Sequence, residues 1–271
     1  MMTDLEKAQK IRKRMNEHLQ PVLDSGMEWI GLFLQGSQNY NLDYEGSDID
    51  TKVIVLPSFS DFVLNRKPVS TTHIMENDEH LDFKDIRLMF DCIKKQNVNF
   101  VEILFTRYMI INEKYADLFQ PVLDAREDIA RYNNFAGVNC FVGMALEKQK
   151  AMEHPYPATM DKIERFGYDP KQLHHALRMQ EFMTRYLNGE PYEDCLISKQ
   201  HDYLMAVKHG CYRLEQAREI MSNTIDMMKS TKEAYMSTNP VAINKHAEEV
   251  LQNATVEILK RCFLSEIGGA A

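Results

Sequence analysis

The sequence predicts an α+β protein: a small mixed β-sheet with flanking helices over residues 1–120, followed by an all-helical domain over 121–271. Three observations predict it. Every strand-type run lies before residue 112, and after about residue 120 only helical periodicity is left. A chain of 271 residues with 44% hydrophobic content also has ample material for one large core or two smaller ones.

The elements follow in order. Residues 4–24 place Leu5, Ala8, Ile11, Met15, Leu19 and Leu23 three to four apart, an amphipathic helix closed by Asp24-Ser25-Gly26. Runs at 29–34 and 53–56 are rich in strand formers. A short apolar turn at 59–64 reads as helix, 69–74 and 79–83 as strands, and 85–96 as a helix ending at Asn97. The apolar stretch 100–111 reads as the last strand region. Helical periodicity then occupies 122–133, 135–150, 171–188, 199–229 and 240–264. Breaks fall at His154-Pro155-Tyr156-Pro157, Tyr168-Asp169-Pro170, Asn188-Gly189-Glu190-Pro191 and Asn239-Pro240. The boundary between the two parts falls between 115 and 135.

Composition narrows the function. No segment is apolar enough over enough length to span a bilayer, and the N-terminus lacks the apolar core of a signal peptide. Five scattered cysteines form no Cys-x-x-Cys pair, which points to a reduced, cytoplasmic protein without a zinc site or disulfide framework. A net charge of −8 argues against broad nucleic-acid binding, which needs basic surface to displace counterions. Seventeen methionines read as adaptable core.

The candidate chemistry sits between the first two strands. Gly36-Ser37 ends one run, and Ser47-Asp48-Ile49-Asp50 opens the next. Asp48 and Asp50 stand at i and i+2, so on an extended backbone their side chains leave one face, with Cα atoms roughly 6.5–7 Å apart. Two carboxylates that close repel, and a divalent cation between them reverses the sign. Gly36 has no Cβ, so the N–H groups of Gly36 and Ser37 can approach a phosphate, and the Ser37 hydroxyl adds a donor. The plainer alternative is a solvated loop leading into a strand.

The pattern apolar–Gly36-Ser37, a ten-residue spacer and Asp48-Ile49-Asp50 resembles the signature of the DNA polymerase β-type nucleotidyltransferase superfamily. Gly36-Ser37-Gln38-Asn39-Tyr40-Asn41-Leu42 with Ser47-Asp48-Ile49-Asp50 is closest to its bacterial and phage branch of predicted nucleotidyltransferases. Asn97-Val98-Asn99-Phe100-Val101-Glu102-Ile103-Leu104-Phe105 is similar to that branch's Asn-Pro-x-x-x-Glu-x-Leu-Phe element, with Val98 in place of the proline. Lys171, His175 and Arg178 match its Lys-x-x-x-His-x-x-Arg helix. The likeness covers 31–105 and 162–190.

The resemblance implies transfer of a nucleoside monophosphate from a nucleoside triphosphate to an acceptor hydroxyl, with Mg²⁺ (or Mn²⁺) held by Asp48, Asp50 and a third carboxylate. For the third, Asp82 is favoured because Leu81 and Phe83 flank it, which puts it on the opposite strand face; Asp85 reads as a first-turn residue of the next helix, and Asp78 and Glu79 lie close enough to confuse the register. The nucleotide-binding set it implies is Gly36, Ser37, Tyr40, Ser47, Lys171, His175 and Arg178. The last three lie at i, i+4 and i+7, one helix face, a spacing that also fits a solvated stripe. Glu102, interrupting an apolar run, is assigned a structural role near the site. The acceptor (small molecule, protein or RNA) and the base are not legible. Two alternatives stand beside transfer: a catalytically silent nucleotide-binding sensor or regulatory module, and an enzyme modifying tRNA or other nucleic-acid ends.

Overall fold

The computed structural model describes residues 3–44 and 46–268, which form two compact units. One comprises the chain up to Asn39, Asp43–Tyr132 and the chain from Ile243 on; the other comprises Tyr40–Leu42 and Asn133–Ala242. The fold is α+β, with a mixed sheet in the first unit and helices alone in the second.

The sheet has five strands, β1 (Trp29–Gln35), β2 (Asp50–Val55), β3 (Ser70–Ile74), β4 (His80–Asp85) and β5 (Met109–Ile111), in the order β3-β4-β2-β1-β5. The β2–β4 pairing is parallel and the other three are antiparallel. Helix α1 (Asp4–Asp24) opens with a capping box between Thr3 and Glu6, which satisfies two of the orphan N–H groups of its first turn. It buries Ile11, Met15, His18 and Val22 along one stripe. Ile11, Met15 and Val22 join Leu32, Leu34, Ile49, Val53, Val55, Leu81 and Phe83 in one core against the sheet. Full burial of each such aliphatic side chain contributes about 1.5–3 kcal/mol.

Short α2 (Phe59–Val63) is capped by the Ser58 hydroxyl. Helix α3 (Ile86–Lys94) starts at Asp85, whose side chain accepts the Arg87 N–H and also pairs with the Arg87 guanidinium at 2.6 Å, the helix-start role its position predicts.

The stretch 100–111 departs from the strand expected of it. Val98–Val101 is a helical turn, α4, and Glu102–Leu104 continues as 3-10 helix, so only Met109–Ile111 reaches the sheet. The Asn97 side chain accepts the Asn99 N–H and starts the turn, and a six-residue apolar run carries no periodicity to separate a buried turn from a strand. Glu102 therefore lies in a buried turn.

The unit is completed by α5 (Ala116–Asp124), α6 (Arg126–Ala130) and α13 (Lys245–Gly268). Arg261 of α13 forks onto Asp117, and Phe263 packs on Phe59 and Phe62. The single helix expected over 122–133 is thus a pair of short ones.

In the helical unit, α7 (Asn134–Ala151) and α9 (Pro170–Leu187) pack through Phe141, which meets the rings of Phe182 and Tyr186 edge-on at 5.2 Å each. Around them lie α8 (Met160–Phe166), α10 (Tyr192–Leu196), α11 (His201–Lys208) and α12 (Leu214–Thr238). The one helix expected over 199–229 is broken at Gly210, which has φ +79°, and where a Cβ would overlap the Phe166 ring. No helix among the described residues is long and apolar enough to cross a membrane.

Candidate active site

Strand alternation sorts the chemistry. Leu32, Leu34, Val53, Val55, Leu81 and Phe83 point to the core under α1, so their alternates Phe33, Gln35, Asp50, Lys52, His80 and Asp82 occupy the other face. Asp50 lies opposite Gln35 of β1, while Lys52 is the register partner of Asp82 on β4. Asp50 and Asp82 thus stand on one face of adjacent strands. The His80 N–H donates to Asp50 Oδ1 at 2.9 Å, with the His80 Nδ1 3.6 Å from the same oxygen. The two oxygens of Asp82 accept from the Thr72 hydroxyl at 2.6 Å and the Gln35 amide at 3.3 Å.

β1 ends at Gln35, and Gly36 turns the chain at φ +83°, a region where an L side chain is strained. Ser37–Tyr40 follows as one 3-10 turn, with Ser37 half-buried. The Gly36 N–H faces Glu102 Oε1 at 3.4 Å, so Glu102 sits against the Gly-Ser turn. Asn39 braces the turn by donating to Leu34 O and accepting from Thr106. Ser47 serves the next bend: its Oγ accepts the Tyr44 N–H, and its N–H donates to Tyr44 O, each at 2.9 Å.

Asp48 is exposed, Ile49 is fully buried in the α1-side core, and Asp50 keeps 31% of its side chain accessible. Beneath them lies a buried polar group that individual sequence spacing does not reveal. Glu79 Oε1 accepts the Ile49 N–H at 3.2 Å, and Oε2 accepts from Arg14 at 2.8 Å and from His18 Nε2 at 3.0 Å. His18 Nδ1 lies 2.8 Å from Thr51 Oγ1. Burial holds His18 below the usual imidazole range, against the pull of Glu79. Burial also acts to raise the Glu79 carboxyl, but hydrogen bonds from Arg14, Asn77 and His18 outweigh it and leave it lowered.

Lys52 is also a residue that the sequence reading did not single out. Only 2% exposed, it donates to Asn99 O at 2.7 Å and lies over the Phe100 ring at 4.2 Å. Burial lowers its ammonium to about 8, against the attraction of Asp82. A lysine inside the run Thr51-Lys52-Val53-Ile54-Val55 was the available signal.

In the helical unit, α9 begins at Asp169, whose carboxylate accepts the Lys171 N–H, followed by Pro170 in the first turn. Lys171 is exposed, while Arg178 is 6% exposed with its guanidinium 3.9 Å from the centre of the Tyr40 ring. Tyr40 itself is buried. Burial, and then the neighbouring Arg178 charge, push His175 well below the ordinary imidazole range, so it is uncharged at neutral pH. The stripe is therefore not a solvated face of three cations.

No protein-family model matches the sequence, and no curated protein does. Among solved structures the chain is similar to a nucleotidyltransferase-like protein from Exiguobacterium sibiricum 255-15, at 10% identity and a TM-score of 0.32, over 81% of this chain and 74% of that one.

Among the described residues, no three histidine, cysteine, aspartate or glutamate side chains are grouped to hold a metal by themselves. What the sheet face offers is hard carboxylate oxygen from Asp50 and Asp82, with Asp48 two residues before the strand. That donor set suits Mg²⁺, which is commonly bound through one or two carboxylates together with substrate phosphates.

Proposed function

We propose that the chain is a nucleotidyltransferase that moves a nucleoside monophosphate from a nucleoside triphosphate to an acceptor hydroxyl. The observation that carries this is the shared sheet face of Asp50 and Asp82, reached by the strand end that turns at Gly36 and continues into Ser37. Asp48, Asp50 and Asp82 would hold Mg²⁺ or Mn²⁺, which supplies positive charge where negative charge builds on the phosphates.

The chain's own residues divide the remaining work. Gly36 and Ser37 contribute donors for the terminal phosphates, the Gly36 N–H exchanging its long hydrogen bond to Glu102 for a phosphate oxygen. Asp82 orients the acceptor hydroxyl and takes its proton as the oxygen bonds to the α-phosphorus and the bond to pyrophosphate breaks. Thr72 and Gln35 hold the Asp82 carboxylate in place for that task. Lys171 and Arg178 are the helical unit's proposed contacts for anionic groups; Tyr40 and Ser47 already have structural partners.

The test is incubation with each labelled nucleoside triphosphate, Mg²⁺ and a cell extract. The expected result is label transferred to an acceptor and lost in both Asp48→Ala and Asp50→Ala. Nucleotide bound without turnover would instead support a silent binding module.

A further inference from the structure

The Glu79 group is costly for a fold to keep. A buried carboxylate with two cationic or polar partners is often no more stabilising than apolar side chains of the same volume. Its geometry points elsewhere. One oxygen takes the N–H of Ile49, the residue between the two aspartates, and the other gathers Arg14 and His18 from α1. Because Oε2 can only accept, His18 Nε2 carries the hydrogen and Nδ1 accepts from the Thr51 hydroxyl. The network therefore grips the segment at residues 49 and 51, on both sides of Asp50. His80, next to Glu79 in the chain, donates its N–H to Asp50 itself.

We infer that Glu79 is a positioning residue: its grip on the Ile49 N–H, braced by Arg14 and His18, fixes the directions in which Asp48 and Asp50 leave the backbone, and so sets cation affinity. Ile49 pointing into the core turns its two neighbours outward; releasing its N–H lets the segment rotate and spoils the donor set. This inference rests on the proposed role of Asp48 and Asp50 as cation ligands.

Mn²⁺ alone is the probe, with the full chain and neither nucleotide nor acceptor, the free ion being read by electron paramagnetic resonance. Wild type binds and Asp50→Asn does not. Glu79→Ala weakens binding by about 10- to 100-fold, the range for outer partners of metal ligands. Glu79→Gln, which keeps an oxygen for the Ile49 N–H but turns an amide N–H towards Arg14 and so loses that brace, falls between wild type and Glu79→Ala, with a loss of about three- to tenfold. Wild-type affinity in Glu79→Ala, or equal losses in the alanine and glutamine variants, would overturn the inference. Equal affinities of wild type and Asp50→Asn would instead overturn the cation reading beneath it. If Glu79→Ala shows no cooperative unfolding transition, Arg14→Gln decides. Its side chain is partly accessible and its loss loosens the brace, so a loss of about three- to tenfold is expected and unchanged affinity refutes.

Discussion

Lys52 offers a measurement in which the sign is fixed by burial. In the unfolded chain its ammonium titrates near 10.5, whereas in the fold burial lowers this to about 8. Below pH 8 both states hold the proton and the fold carries a constant burden. Between about 8 and 10.5 the unfolded state binds more proton, so stability rises with pH, and above 10.5 it is level again. The gap of about 2.5 pH units, at about 1.4 kcal/mol each, is worth about 3.5 kcal/mol in full, of which about 3 kcal/mol is reached by pH 10.5, where the unfolded lysine is half titrated. Lys52→Met keeps the length and removes the titration. It also leaves Asn99 O without its donor, a cost of about 1–3 kcal/mol that does not change with pH. Trp29 is the single tryptophan and lies in β1, so its fluorescence during urea unfolding reports on the sheet unit. The wild-type-minus-variant stability should climb by about 3 kcal/mol from pH 7 to 10.5. A difference that stays constant over that range would refute the buried, perturbed lysine.

Gly36→Ala should destabilise the sheet unit by about 1–2 kcal/mol in the same urea assay, since a Cβ there meets open space and the penalty is that of positive φ alone. An unchanged midpoint would contradict the turn. Tyr40→Phe, which keeps the ring under Arg178, should shift thermal stability of the helical unit by less than about 0.5 kcal/mol, while Tyr40→Ala should cost about 3–5 kcal/mol. Equal losses in the two would mean that the hydroxyl, not the ring, anchors this loop.

Much of the architecture was legible because one-sided burial writes a period into the chain. Ile11 and Met15 mark α1, although Leu5 and Leu23 of the same expected stripe are exposed and Val22 is buried instead, and the Leu81-Asp82-Phe83 alternation marks β4 and places Asp82 away from the core. The run 100–105 misled because α4 and the turn after it are buried, and burial of a short run erases periodicity. The break at Gly210 was missed because one glycine within 199–229 is weak punctuation, and its meaning lies in the Phe166 ring against it. At the site, Asp48 and Asp50 announce themselves through local spacing. Glu79, Arg14 and His18 do not, since 65 residues separate Arg14 from its partner and only the packing of α1 on the sheet joins them.

The return of α13 to the sheet unit has a consequence for the order in which the protein is made. A ribosome delivers the whole of 133–242 before it delivers this helix, so the helical unit can close while the sheet unit is still short of a side. During that interval Phe59, Phe62 and Asp117 await Phe263 and Arg261, leaving an oily flank open to chaperones or to neighbouring nascent chains. The sheet unit is thus closed only after 133–242 has been made, when α13 emerges and covers that flank.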